Sequence, residues 1–306
     1  MFSIIIPLYN KEKYIKETIK SVLNQSVQGF EIIVVDDGSQ DDGLKIVKNI
    51  DDDRIKIIKQ KNKGVSVARN NGIRNAKYEY IAFLDADDLW EEDFLESISE
   101  LIKLYPNAGA YGTDYKLVDI KSKIEKVKSG YAYTEKYIIT DNYFREACNN
   151  MHLTASSTVV RKDVFEKVGY FPEGVSTWED VDMWCRIGIC YSIAFINKKK
   201  VIYNQNVDGS NTKVAKWMES PFFNNYNEYI EKYNVKEEKL FYLKEYVYRH
   251  HIQNCLVFNK FNRNLKVSIK ILWENKGTRI YRKYWCKALV TTFTPRAMHK
   301  YIFKVR

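Results

Sequence analysis

The sequence predicts an α/β protein built on a mostly parallel sheet with helices on both faces. Three observations carry that expectation. The strand candidates are unbroken apolar runs, "FSIIIP", "EIIVV" and "YIAFL", without the polar–apolar alternation of a sheet that has one wet face. The segments between them place apolar residues three or four positions apart. Strand and helix then alternate throughout the first hundred residues, which is the rhythm of βαβ units.

The elements follow in order. Residues 2–7 form the first strand, and Asn10 is placed to cap a helix whose Ile15, Ile19, Val22 and Leu23 share a face. "EIIVVDDGS", residues 31–39, is a second buried strand ending in a turn. Gly38 supplies the turn's dihedrals, and Ser39 with Asp42 makes a capping box for a helix over 39–50. "RIKIIK", 54–59, is the third strand, followed by a helix with Ala68, Gly72 and Ala76 four apart. "YIAFLD", 80–85, is the fourth, and Phe94, Ile98, Leu101 and Ile102 mark the helix after Glu91. Residues 116–150 are polar and rich in Lys and Tyr, as in a variable insertion. Residues 155–171 read as strand, helix and a stop at Gly169; 178–188 start a short helix; "SIAFIN" and "KVIYNQ" are two further strands. Beyond about 215 the pattern is helical, which divides the chain into 1–215 and a basic region 216–306.

Bulk properties narrow the function. The chain has 306 residues, 45% hydrophobic and 29% charged, which suits an ordinary globular protein. No apolar run reaches the roughly 18 residues of a membrane span. The N-terminus lacks a basic stretch and a small-residue cleavage site, so no signal peptide is expected. Five cysteines with no C-x-x-C pair suit a reducing cytoplasm. Net charge is +10, but residues 241–306 hold 15 Lys/Arg against two acids, leaving 34 basic and 37 acidic residues in 1–240. Such a basic segment suits solvated helix faces or an anionic partner surface. Phe258, Phe261, Leu265, Trp273 and Trp285, interleaved with the charges, would suit docking on an anionic membrane.

Ligands of an open parallel sheet bind outside the carboxyl ends of its strands. "PLYN" (7–10), "DDGS" (36–39) and "DADD" (85–88) all lie there. Asp87 and Asp88 admit a plain reading, as caps of a helix beginning near Leu89. Asp85 ends an apolar strand and faces the same edge as Asp87. Two carboxylates so spaced can share a hard divalent cation, Mg²⁺ or Mn²⁺, that keeps positions open for phosphate. Asp36 or Asp37 can accept a hydrogen bond from a nucleobase or ribose, or can simply serve the turn. In "WEDVDMW" (178–184), Trp178 and Trp184 read equally as core, and Asp180 reads as a general base held at a helix N-terminus. No G-x-G-x-x-G or P-loop is present, and His250 and His251, adjacent on a helix, make a poor metal pair. His152 reads either as site lining or as polar surface.

The ordered set "SIIIPLYNKEKYIKETIKSVLNQS", "EIIVVDDGS", "GVSVARNNGI", "YIAFLDADD" and "WEDVDMW" resembles the family-two inverting glycosyltransferases of GT-A fold, over about residues 2–210. The resemblance implies a UDP-sugar donor, with Pro7, Tyr9, Asp36, Asp37 and Arg69 around the nucleotide. It also implies Asp85 near ribose and metal, Asp87 as a ligand of Mg²⁺ or Mn²⁺, and Asp180 as the catalytic base. Glu179 and Trp184 are expected to shape the acceptor site. The Q-x-x-R-W motif of processive members is absent, so a single sugar transfer is expected. Surface-glycan members often take lipid-linked acceptors, and a cytoplasmic protein, peripheral on the inner membrane face, would suit them.

Two other functions compete. A sugar-nucleotide nucleotidyltransferase needs the same sheet and acids but opens with a Gly-rich loop that "PLYNKEKY" lacks. A nucleic-acid-binding protein using the basic region leaves the acids unexplained, and no nucleic-acid partner is expected.

Overall fold

The computed structural model describes residues 1–122, 124–126, 137–149, 153–175, 177–205, 207, 221–261 and 265–294. His152 and the side chains of Phe258, Phe261 and Leu265 lie outside the described residues. The strands are β1 (Phe2–Leu8), β2 (Phe30–Asp36), β3 (Ile55–Lys59), β4 (Tyr80–Phe83), β5 (Leu89–Trp90), β6 (Ala110–Asp119), β7 (Ile124–Lys126), β8 (Tyr137–Thr140), β9 (Thr158–Arg161) and β10 (Ile193–Gln205). They form one sheet in the order β3-β2-β1-β4-β9-β6-β10-β5, with β7 on β6 and β8 on β10. The first four are parallel, as the apolar runs require. β9 enters antiparallel between β4 and β6, so the far half of the sheet is mixed.

The helices are α1 (Ile15–Leu23), α2 (Gly43–Lys48), α3 (Val65–Asn75), α4 (Phe94–Leu104), α5 (Tyr143–Cys148), α6 (Val164–Val168), α7 (Glu179–Cys190), α8 (Pro221–Asn224), α9 (Tyr226–Lys232), α10 (Glu237–Phe261), α11 (Leu265–Glu274) and α12 (Arg282–Phe293). Strand side chains alternate between two cores because successive Cβ atoms point to opposite faces. Ile5, Ile33 and Val35 join Ala68 and Ile73 of α3 in one core. Ile4, Ile6, Ile32 and Val34 join Ile15, Ile19 and Val22 of α1 and Phe94, Leu95 and Ile98 of α4 in the other. Both faces are therefore dry, which explains the absence of alternation in the sequence. Phe222, Phe223, Leu243, Tyr246 and Val247 of the C-terminal helices belong to the first core. A small third cluster, around Ile252, Ile271, Leu272 and Ala288, holds α10, α11 and α12 together.

Several local expectations are corrected. Asn10 does not cap α1: it sits at φ +52, and its side chain accepts from Gln40 N at 2.8 Å, tying the β1 loop to the β2 loop. Ser39 and Asp42 form no capping box. Instead Asp41 accepts from Gly43 N at 3.0 Å, and Ser39 Oγ accepts from Asn10 N at 3.2 Å. Gly38 has the expected positive φ, +77. "SIAFIN" and "KVIYNQ" are one strand, β10, carried past irregularities between Ile196 and Val201. Trp285 is an internal contact, its indole N–H donating to Leu272 O at 2.8 Å, whereas Trp273 is 69% exposed.

Candidate active site

β4 ends at Phe83, and the chain turns through Asp85–Asp88 into β5, which pairs with β10. Helix α4 begins only at Phe94, so Asp87 and Asp88 cap no helix. The turn is held from several sides. Asp88 N donates to Asp85 O, and Thr18 Oγ1 donates to Ala86 O and Asp88 O, each at 3.0 Å. Ser156 Oγ accepts from Asp85 N at 3.1 Å and donates to Asp88 Oδ2 at 2.6 Å. Asp88 is buried and also accepts from Asn204 N at 3.0 Å, so it is part of the scaffold. Burial, then Asp87 and Asp85, push its carboxyl well above the usual carboxylate range.

Asp85 and Asp87 are the carboxylates that this turn presents. Each already carries a cation. Arg69, buried on α3, donates from Nη2 to Asp85 Oδ1 at 2.7 Å, and Lys11 Nζ stands 2.7 Å from Asp87 Oδ2. Burial raises the Asp87 carboxyl, Lys11 lowers it, and Asp85 raises it again. The other guanidinium branch of Arg69 donates from Nη1 to Glu179 Oε1 at 2.8 Å. One buried fork thus joins the acid turn after β4 to the start of α7, with Arg69 and Glu179 separated by 110 residues of sequence. Removing a buried charge from such a set strands its partners and costs about 3–5 kcal/mol.

Asp180 lies beside this fork in the first turn of α7, where Glu179, Asp180 and Asp182 all favour the helix N-terminus. Burial and then Glu179 raise the Asp180 carboxyl to about 7; Arg69 and the Val181 N–H, at 2.7 Å, act the other way. The residue before the pair, Trp178, takes the left-handed conformation at φ +68, which is costly for a bulky side chain. Its ring stands edge-on to His250 of α10, with centroids 5.2 Å apart.

Not every expected residue joins this group. Trp184 is fully buried against Phe83 and Phe171, so it shapes the region only from beneath. Pro7 and Tyr9 lie at the end of β1, with Tyr9 45% exposed, and Asp37 N donates to Leu8 O at 2.8 Å. The Asp37 carboxylate is taken up by the chain itself, accepting from Gln60 Nε2, Lys63 N and Gly64 N at 2.8–2.9 Å. Asp36 Oδ1 accepts from Ser39 N at 3.1 Å. Both aspartates therefore build the loops that flank β2.

The donor set suits a divalent cation in one respect only. Two hard carboxylates, each with one oxygen outside these pairs, can dock a cation that brings its own waters and phosphate oxygens. They make no complete cage: among the described residues, no group of three or more His, Cys, Asp or Glu side chains is placed to hold a metal.

Lys11, Ser156, Tyr203 and Asn204 are additions that sequence reasoning missed. Burial, followed by Asp88, Asp85, Asp180 and Asp87, pushes the Tyr203 phenol up, which places it within electrostatic reach of all four acids. Asn204 Nδ2 donates to Asp87 O at 2.6 Å. The available signal was position: Lys11 directly follows "PLYN", and Tyr203–Asn204 close a strand at the same sheet edge.

A Rossmann-like sheet with acids gathered at its carboxyl edge is the GT-A architecture. The model of glycosyl transferase family 2 matches residues 3–169, more than half of the chain, and the chain belongs to that family. An uncharacterized glycosyltransferase of Rickettsia conorii is 36% identical over 200 residues, 64% of this chain and 32% of that protein. Chondroitin synthase of Escherichia coli is 30% identical over 244 residues, 78% of this chain and 34% of that protein. The minor teichoic acid biosynthesis protein GgaA of Bacillus subtilis is 32% identical over 188 residues, 59% of this chain and 41% of that protein. The chain thus spans less than half the length of each. Among solved structures, S. aureus TarS 1–349 in complex with UDP-GlcNAc shares the fold, with a TM-score of 0.67 at 22% identity over 95% of this chain and 80% of that one.

Proposed function

We propose that this chain is an inverting glycosyltransferase that moves one sugar from a UDP-sugar to a hydroxyl of a glycan or lipid-linked acceptor in cell-surface polysaccharide synthesis. The observation that carries the reading is the Arg69 fork, which binds Asp85 of the acid turn to Glu179 beside Asp180. A donor site and a base site are thereby held in one rigid unit, as a single displacement requires. Family membership and the names of the relatives above support it.

In this reading, Pro7, Tyr9 and the Asp36–Asp37 turn flank the nucleoside, and Arg69 fixes Asp85 beneath the ribose and diphosphate. Asp85 and Asp87 would hold Mg²⁺ or Mn²⁺; that cation, when bound, supplies charge neutralisation for the departing diphosphate. Asp180 accepts the proton of the acceptor hydroxyl as its oxygen attacks the anomeric carbon from the face opposite UDP, inverting the configuration. Arg69 holds Glu179 in place, and Asp180 beside it is the carboxyl whose proton affinity is matched to neutral pH.

Calorimetric titration of UDP, with GDP and CMP as controls, with and without Mn²⁺, on wild type and Asp87→Ala tests the donor site. Mn²⁺-dependent binding selective for UDP and lost in Asp87→Ala is expected. No nucleotide binding under any condition would remove the reading.

We further place the protein in the cytoplasm, peripheral on the inner membrane face. Among the described residues no helix is long and apolar enough to cross a membrane. On α11, Ile269 and Trp273 are exposed four residues apart, beside exposed Lys266 and Lys270. Flotation with anionic liposomes is expected to carry the protein up and neutral liposomes to leave it; equal failure with both would discard membrane docking.

A further inference from the structure

Lys11 is held where the proposed chemistry places a metal ion. Its backbone is fixed from both sides. Asn10 is tied to Ser39 and Gln40, Glu12 N donates to Asp41 Oδ2 at 2.8 Å, Glu12 Oε2 accepts from Asp42 N at 3.0 Å, and Lys11 O accepts from Tyr14 N and Ile15 N at 3.0 Å. The loop backbone is thus tied on both sides of Lys11, and the ammonium stands at the end of a four-carbon stem. That stem brings the ammonium to 2.7 Å from Asp87 Oδ2, with the two side chains only 13% and 16% exposed. On the neighbouring carboxylate the arginine fork is buried and engages two carboxylates at once. The two cations of the acid turn thus differ in kind: one is a guanidinium fork shared between two carboxylates, the other a compact ammonium on a four-carbon stem.

We infer that Lys11 is a resident counter-cation of Asp87 that a divalent cation must displace, its freed ammonium then pairing with the diphosphate. A divalent cation and an ammonium on one carboxylate repel strongly at such separations. Lys11 consequently holds the Asp87 carboxylate oriented in the free protein, raises the concentration of cation needed to enter alone, and makes cation and diphosphate bind together. The diphosphate half of the inference rests on the donor reading above; the competition for Asp87 does not.

The probe is Mn²⁺ alone, followed by loss of its free-ion EPR signal, on wild type, Lys11→Met and Asp87→Asn. Lys11→Met keeps most of the stem and removes the charge. It is expected to bind Mn²⁺ about three- to tenfold more tightly than wild type, and Asp87→Asn to lose the site. UDP affinity in saturating Mn²⁺ is expected to fall about three- to tenfold in Lys11→Met, because the ammonium is missing from the diphosphate. A second readout uses the unmodified protein: acetylation of Lys11, followed by mass spectrometry, should rise when Mn²⁺ alone is added. Mn²⁺ affinity that is unchanged or weaker in Lys11→Met, Lys11 reactivity indifferent to Mn²⁺, or wild type that binds no Mn²⁺ would each overturn the inference. Tighter Mn²⁺ binding by Lys11→Met in a protein that ignores UDP would sink the donor reading while keeping the competition. UDP binding with Mn²⁺ affinity unmoved by Lys11→Met would do the reverse.

Discussion

Asp180 has a proton affinity, about 7, that suits a base working near neutral pH, and the same burial that raises it makes the ionised form a burden on the folded state. The ordinary value for an aspartate, 3.8, applies to the unfolded chain. The folded protein therefore holds the proton more firmly between pH 4 and 7, and stability from this group is lost as pH rises through that window. With Asp180 as the proposed base, activity is expected to run the other way, rising with pH to a plateau above about 7. Asp180→Asn separates the two. It should cut kcat by about 10²–10⁴-fold, with donor affinity kept, because only the proton acceptor is gone. Above pH 7 it should also stabilise the protein by about 1–3 kcal/mol, with little effect near pH 4. Thermal melts at pH 4 and pH 8 beside a kcat–pH profile check this; equal shifts at both pH values would show that the charge is not what burial penalises.

The elements were legible where both sides of an argument lay in one short segment. Apolar runs and helical spacing place β1–β4 and α1, α3 and α4 within a few residues, because dry strands between amphipathic helices leave a local mark. Elements defined by a distant partner were not legible. β5 is two residues long and exists through its pairing with Val201 and Ile202, and Trp90 is fixed by Ser156 O at 2.7 Å. The same limit governed the site. Asp85 and Asp180 could be singled out as residue types at a strand end and a helix start, and Arg69 through the family resemblance, but the fork closes a separation of 110 residues between Arg69 and Glu179, and Lys11 was marked only by its place after "PLYN". The hold on Asp37 was not legible, because its two loop partners, Lys63 and Gly64, offer only backbone N–H groups, which no sequence pattern marks. At Gly72 the spacing of small residues does carry meaning. A Cβ there would come within 2.4 Å of Ile5 Cγ2, so α3 lies on β1 as closely as a bare backbone allows. Gly72→Ala is expected to destabilise by about 1–3 kcal/mol through overpacking, read as a lower urea midpoint with an unchanged slope. Combining it with Ile5→Ala should cost less than the two single changes added together, since the new methyl then enters the vacated space. Strict additivity would mean that α3 shifts instead of pressing on Ile5.

At the scale of the whole molecule, the composition break near residue 215 suggests a helical appendage on a finished domain, and the packing shows a more dependent arrangement. Phe222 stacks on Phe144 of α5 with centroids 6.3 Å apart, and Tyr246 of α10 meets Tyr143 at 6.1 Å. Leu243, Tyr246 and Val247 are buried in the same core as Met183 and Trp184 of α7, whose first turn carries Asp180. Asp182 adds a polar tie, accepting from Phe222 N at 2.8 Å while holding Arg186 at 2.8 Å. His250 backs the strained Trp178 from α10. A chain cut at residue 215 would expose Tyr143, Phe144 and the outer face of α7, and would leave the Asp182 carboxylate short of one donor. A few buried aromatic side chains are each worth about 1.5–3 kcal/mol of burial, which together approach the whole stability of a typical domain. The full chain is therefore expected to unfold in one transition that spans both regions. The 1–215 fragment is expected to be an expanded form that binds a hydrophobic dye and lacks a sharp melt. Calorimetry on both chains decides it: a fragment that melts cooperatively at the temperature of the full protein would show that the helices only lean on the domain. The expected failure would show instead that they hold the proposed base, Asp180, in place, and that the folded unit includes helices in which no family motif was legible.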